Sequence, residues 1–139
     1  MRALKINVEQ QCFEIVNVDV NDTQAILKHI GNGAQGIDAA YFPKHVIYVD
    51  EEGFCAPLIG GFTLPNYQYP IMGNGIVFGL DLDKEVSIGA NVGELLLSIT
   101  LLSPMQALNF PRLRRYYYWK KGKIYPKPEH DSPSATQAN

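Results

Sequence analysis

Three groups of side chains in this 139-residue chain could do chemistry, and each suits a different partner. The first lies in residues 62–74, where Phe62, Tyr67 and Tyr69 stand among the amides Asn66, Gln68 and Asn74. Rings stack on bases and amides pair with base edges, so this set predicts a pocket for a small nucleotide-like ligand. The competing reading is that the rings anchor their own loop. The second group is a basic aromatic stretch, in which Arg112, Arg114, Arg115, Lys120, Lys121, Lys123 and Lys127 interleave with Tyr116, Tyr117, Tyr118, Trp119 and Tyr125. Cations neutralise phosphates and release counterions, while rings stack on any base, which is the chemistry of single-strand binding. Arg112, Arg114, Arg115, Tyr117, Trp119, Lys120, Lys121 and Lys123 are the residues expected to carry it. The same aromatics have high strand propensity, and a hairpin packed on the body or on a second subunit fits them equally. The third group is acidic: Asp50, Glu51 and Glu52, with Asp81 and Asp83. Their spacing matches no calcium loop and reads as solvated turns.

His29, His45 and His130 are scattered, and none pairs with a nearby serine or cysteine as an activated nucleophile would require. No catalytic residue, metal or cofactor is assigned. Gly73, Asn74 and Gly75 with Gly79 resemble a phosphate-binding glycine string, but Ile76, Val77 and Phe78 open a strand where a dinucleotide fingerprint opens a helix. A tight turn entering a strand is the expectation.

Charge divides the chain in two. Residues 1–111 hold five basic and twelve acidic side chains, a net charge of −7, whereas residues 112–139 hold seven and two, a net of +5. The overall −2 therefore hides an acidic body and a basic extension. With 46 % hydrophobic residues, the chain can bury a core without metals or disulfides. There is no apolar run of membrane-spanning length and no secretory h-region, so the expected setting is cytoplasmic, with no membrane partner. Cys12 and Cys55 lack CxxC partners and are expected to be reduced thiols.

The elements that must position these groups follow from periodicity. Leu4, Ile6 and Val8 alternate with polar residues as a half-buried strand, and residues 12–20 form its hairpin partner. Asn21 or Asp22 caps a short helix with Ile26, Leu27 and Ile30 on one face and Gly31 at its end. Strands are expected at residues 37–42 and 46–49, then a tight turn at which Gly53 takes positive φ, then a strand beginning at Phe54. Residues 57–70, with three prolines and Gly60-Gly61, read as an ordered loop without regular structure. A strand at 75–80, an acidic turn, a helix opened by an Asn91–Glu94 capping box and a strand at 99–102 complete the body. The order predicts an α+β fold: a mostly antiparallel sheet with two short helices on one face and an extra C-terminal aromatic hairpin or tail. The expected divisions are an α+β domain at 1–111, a basic aromatic extension at 112–127 and a disordered tail at 128–139. The body is expected to fold without the extension.

The Met1–Ile6 strand, the helix ending at Gly31, residues 47–53 (Ile-Tyr-Val-Asp-Glu-Glu-Gly) and residues 70–79 (Pro-Ile-Met-Gly-Asn-Gly-Ile-Val-Phe-Gly) carry a resemblance. Over about residues 1–103 the chain resembles a family of short uncharacterised proteins of phages and mobile elements, domain of unknown function 3846. The basic aromatic ending departs from that family's pattern. The resemblance implies a phage or plasmid setting and assigns no functional residue. It favours a non-enzymatic accessory protein, acting against host defence or in host takeover, that sequesters a nucleotide-like signal or a host defence protein. The alternative is single-stranded nucleic-acid binding through the basic extension, and a second copy of the chain is a further candidate partner.

Overall fold

The computed structural model describes residues 1–127. The expectation of a disordered tail at 128–139, with His130, lies outside the described residues. The main sheet contains β1 (Arg2–Asn7), β2 (Cys12–Asn17), β3 (Ile37–Phe42), β4 (His45–Asp50), β7 (Gly75–Asp81) and β8 (Lys84–Val86). Its order is β2-β1-β7-β4-β3, with β8 folded back on the end of β7, and every pairing is antiparallel. A three-stranded sheet, β6-β5-β9, is built from β5 (Gly61–Thr63), β6 (Ile71–Met72) and β9 (Thr100–Leu102). The helices are α1 (Thr23–Ile30), α2 (Val92–Ser98), α3 (Pro104–Ala107) and α4 (Pro111–Arg114), and β10 (Tyr117–Lys120) with β11 (Lys123–Pro126) closes the order as a hairpin. The fold is α+β with a mostly antiparallel sheet.

Strand alternation assigns the main sheet two buried faces. Ile76 and Phe78 of β7, with Val46 of β4, meet Ile26 and Ile30 of α1. Val77 of β7 and Ile47 and Val49 of β4 point the other way, to Phe62, Ile71, Leu95 and Ile99. The first helix and α2 therefore lie on opposite faces rather than on one. A half-buried sheet was expected, but β7 is apolar at consecutive positions because both its faces are covered. Burying each of the large aliphatic side chains stabilises the fold by roughly 1.5–3 kcal/mol.

The ends of α1 form as anticipated. Asp22 accepts from the Ala25 N–H at 3.1 Å, and Gly31, at φ 66°, donates to the Leu27 carbonyl. At α2 the expected capping box does not form, since Asn91 is itself helical and its side chain caps nothing. The capping box belongs instead to α3, where Ser103 and Gln106 bond reciprocally.

Two further expectations are corrected between β4 and β7. A 3-10 turn, Gly53–Cys55, replaces the strand expected from Phe54. Gly53 does not take positive φ; it is required because a Cβ there would lie 2.8 Å from the Met72 carbonyl oxygen. Residues 57–70 are not wholly irregular, because β5 pairs with both β6 and β9. Cys12 and Cys55 are not joined by a disulfide. No described helix is long and apolar enough to cross a membrane.

Candidate functional site

The loop pocket expected from residues 62–74 does not assemble. Phe62 is fully buried in the core, where its ring closes over Gly75. Asn74 is buried too, and its amide is consumed by structure: Oδ1 accepts from the Val8 N–H at 2.9 Å and Nδ2 donates to the Ile30 carbonyl at 3.0 Å. Tyr67 is half-buried, with its hydroxyl accepting from the Tyr41 N–H of edge strand β3. Tyr69 is half-buried under the Arg112 guanidinium, which sits 5.3 Å from its ring centroid. Only Asn66 and Gln68 of the six are exposed. The polar groups of Asn74 and Tyr67 expected to meet a ligand are used in contacts within the chain itself.

The basic aromatic stretch folds into an ordered hairpin. Pro111 opens α4, Leu113 turns into the core, and Arg114 Nε donates to the Leu108 carbonyl at 2.6 Å, fixing the approach to β10. Lys121 and Gly122 both take positive φ, as the two-residue turn of a twisted hairpin requires. The register sets Tyr117 opposite Pro126, Tyr118 opposite Tyr125, Trp119 opposite Ile124 and Lys120 opposite Lys123.

That register sorts the side chains by face. Tyr117 and Ile124 turn inward to Leu58, Met72, Leu102, Ala107 and Leu113. Burial holds the Tyr117 phenol above its usual pKa, so it stays protonated. Tyr117 was expected to meet a strand or partner; it is 4 % exposed and belongs to this core. The Leu58 N–H donates to the Ile124 carbonyl at 3.1 Å, and the Lys127 N–H to the Tyr116 carbonyl at 2.7 Å. The division expected at residue 111 thus cuts through a shared hydrophobic cluster and a backbone hydrogen bond.

On the outward face Tyr118 and Tyr125 contact each other, with ring centroids 5.8 Å apart and planes inclined by 30°. Lys120 and Lys123 sit opposite one another beside them, and Lys121 occupies the turn. Like charges facing across a hairpin are unfavourable, and an anion placed between them relieves that repulsion. Trp119, on the other face and nearer the tip than Tyr117, is 64 % exposed. It borders a groove of about 610 Å³ between the hairpin, residues 57–59 and the start of α3. Arg112, Arg114 and Arg115 are exposed at the base of the hairpin.

Two features lie outside the residues expected from sequence: the Tyr118–Tyr125 pair, and Met105, an exposed side chain on the far wall of the groove. The pair was open to discovery from the Lys-Lys-Gly-Lys turn, which fixes the register. Met105 carries no such signal, since nothing local says that its four-residue helix faces Trp119. The hairpin presents exposed rings beside exposed lysines. Comparison of the chain with models of known families, with curated proteins and with solved structures gives no match.

Proposed function

We propose that this chain is a non-enzymatic binding protein that engages single-stranded nucleic acid through the β10–β11 hairpin. The observation that carries this reading is the pairing of aromatics left in solvent by the hairpin's own packing with cations that have like-charged cross-strand neighbours. Trp119 and the Tyr118–Tyr125 pair supply stacking surfaces on two sides of the tip. Lys120, Lys121 and Lys123 stand within the same turn, where a phosphate backbone passing from one surface to the other would meet them. The acidic body repels the strand and confines it to the hairpin. The resemblance in residues 1–103 is what supports the remaining part of the proposal, that the chain acts as a phage or mobile-element accessory protein in a host cytoplasm.

Fluorescence anisotropy with a labelled oligothymidine tests it. Affinity should fall with salt at about −0.7 in log–log slope per phosphate neutralised, and Trp119→Ala should lower affinity about 5- to 100-fold with that slope unchanged. Absence of binding at low salt overturns the reading.

A second reading, docking of a host protein, is favoured by one feature. Met105 and Trp119 are both largely exposed across an apolar groove floored by Leu58 and Ile124. Exposed apolar walls of this kind mark contact sites for proteins. Met105→Glu separates the two readings, because it blocks such docking while leaving the outward face of the hairpin intact.

A further inference from the structure

A second recess lies on the α1 side of the main sheet, away from the hairpin's groove. Its volume is about 350 Å³, and its lining is Tyr41, Val46, Tyr48, Leu80, Asp83 and Glu85. Strand register explains why these six meet. Tyr41 of β3 pairs with Val46 of β4, and Leu80 of β7 pairs with Glu85 of β8. Tyr48 follows Val46 two residues on, so it points to the same face. The helix α1 is tied down at the start of β7, where Asn74 Nδ2 bonds the Ile30 carbonyl, and Leu80 stands near the other end of that strand.

The polar groups are held in place. The Tyr48 hydroxyl donates to Glu85 Oε1, and the Tyr48 ring meets Phe78 edge-on with centroids 5.9 Å apart. That bond keeps Glu85 ionised by holding its carboxyl below the usual range. Burial, and then the same bond, keep the Tyr48 phenol protonated. Tyr41 is 58 % exposed, so its ring forms a wall that the core does not require. Its backbone N–H is fixed by the Tyr67 hydroxyl. Lys84, between the two carboxylates in sequence, is directed to the opposite face of β8 from Glu85.

We propose that this recess binds a small organic ammonium ion, its charge between the Glu85 and Asp83 carboxylates and the tyrosine rings, its alkyl stem on Val46 and Leu80. Two tyrosine rings and two carboxylates in the lining favour a cation over an anion, and the apolar Val46 and Leu80 favour an alkylammonium over a hydrated metal ion. The volume fits an amine with a short chain. This site is independent of the hairpin, and its occupant is of opposite charge.

Titration of the full chain with 1,5-diaminopentane, followed by backbone amide NMR shifts, tests the proposal. Saturable shifts in the millimolar range should centre on residues 41, 48, 80 and 85, with 1-pentanol producing none. Glu85→Gln and Tyr41→Leu should each weaken binding by about 2- to 5-fold or more. Lys123→Gln should leave it unchanged. Tyr41 is largely exposed, so Tyr41→Leu should keep its fold, verified by an unchanged melting curve. Absence of saturable shifts, equal response to 1-pentanol, or full affinity in both variants overturns the proposal.

Discussion

Asn74 holds three parts of the chain together with one side chain. Its amide reaches the backbone after β1, the end of α1 and the turn before β7. Asn74→Ala would leave a buried N–H and a carbonyl unsatisfied and should cost about 1–3 kcal/mol in a denaturant melt. A cost below the scatter of surface substitutions would mean that water replaces the amide. Asp50 and Glu85 act on stability with opposite signs. Burial holds the Asp50 carboxyl above its usual range, only partly offset by the Glu52 N–H that bonds it. The folded chain therefore binds that proton more tightly than the unfolded one, and the penalty present at neutral pH disappears as pH falls through the folded value. Asp50→Asn should melt above the parent at pH 7, with the difference closing in acid. Glu85 is held low by Tyr48, so its contribution is full above the unfolded value and is lost as pH falls through the lower folded one. Tyr48→Phe should accordingly lower the melting temperature at pH 7 and do so less in acid; the same loss at both extremes would leave the carboxylate out of the effect.

At the scale of elements, the hairpin turns carry a readable cost. Leu82, 91 % exposed at φ 49°, occupies the left-handed region in the two-residue turn between β7 and β8. An asparagine tolerates that conformation, so Leu82→Asn should stabilise by about 0.5–1 kcal/mol in the same melt. No gain would mean that the leucine has an unseen role in the unfolded chain. A chain ended after Phe110 loses Leu113, Tyr117 and Ile124 and uncovers Leu58, Met72 and Leu102. It should aggregate or melt without cooperativity, contrary to the independence expected from sequence; a soluble, cooperative product would make the hairpin dispensable to the core. Elements with local signals were legible: β1 by alternation, α1 by Asp22 and Gly31, β10 and β11 by their turn. Those set by distant partners were not. A three-residue β5 exists because β6 and β9 flank it, and its Gly-Gly and proline surroundings read locally as loop. The candidate site divides the same way. Lys120, Lys121, Lys123 and Trp119 were visible as residue types, whereas the inward turn of Tyr117 and the burial of Phe62 depend on what packs against them.

At the scale of the whole molecule, charge is divided along the sequence. Residues 112–127 carry seven basic and no acidic side chains, attached to a body of net −7. If the hairpin binds a strand, Lys120→Gln and Lys123→Gln should each flatten the salt slope by about 0.7, with the oligothymidine assay as readout. An unchanged slope in the double variant would remove both lysines from the contact. Trp119→Ala should leave stability within about 0.5 kcal/mol, since the indole is mostly in solvent. A larger loss would make it a packing residue.

The position of β7 also governs how the molecule is made. This strand is the centre of the main sheet, bonded to β1 on one edge and to β4 on the other, yet it begins only at residue 75. On a ribosome, the first two hairpins emerge with an unpaired edge each and no strand to join them, and those edges wait until β7 has cleared the exit tunnel. Synthesis at about 5–20 residues per second makes that wait a matter of seconds, ample time for a chaperone or another nascent chain to pair first. Two such remote closures around one strand also place the sheet among slow-folding topologies.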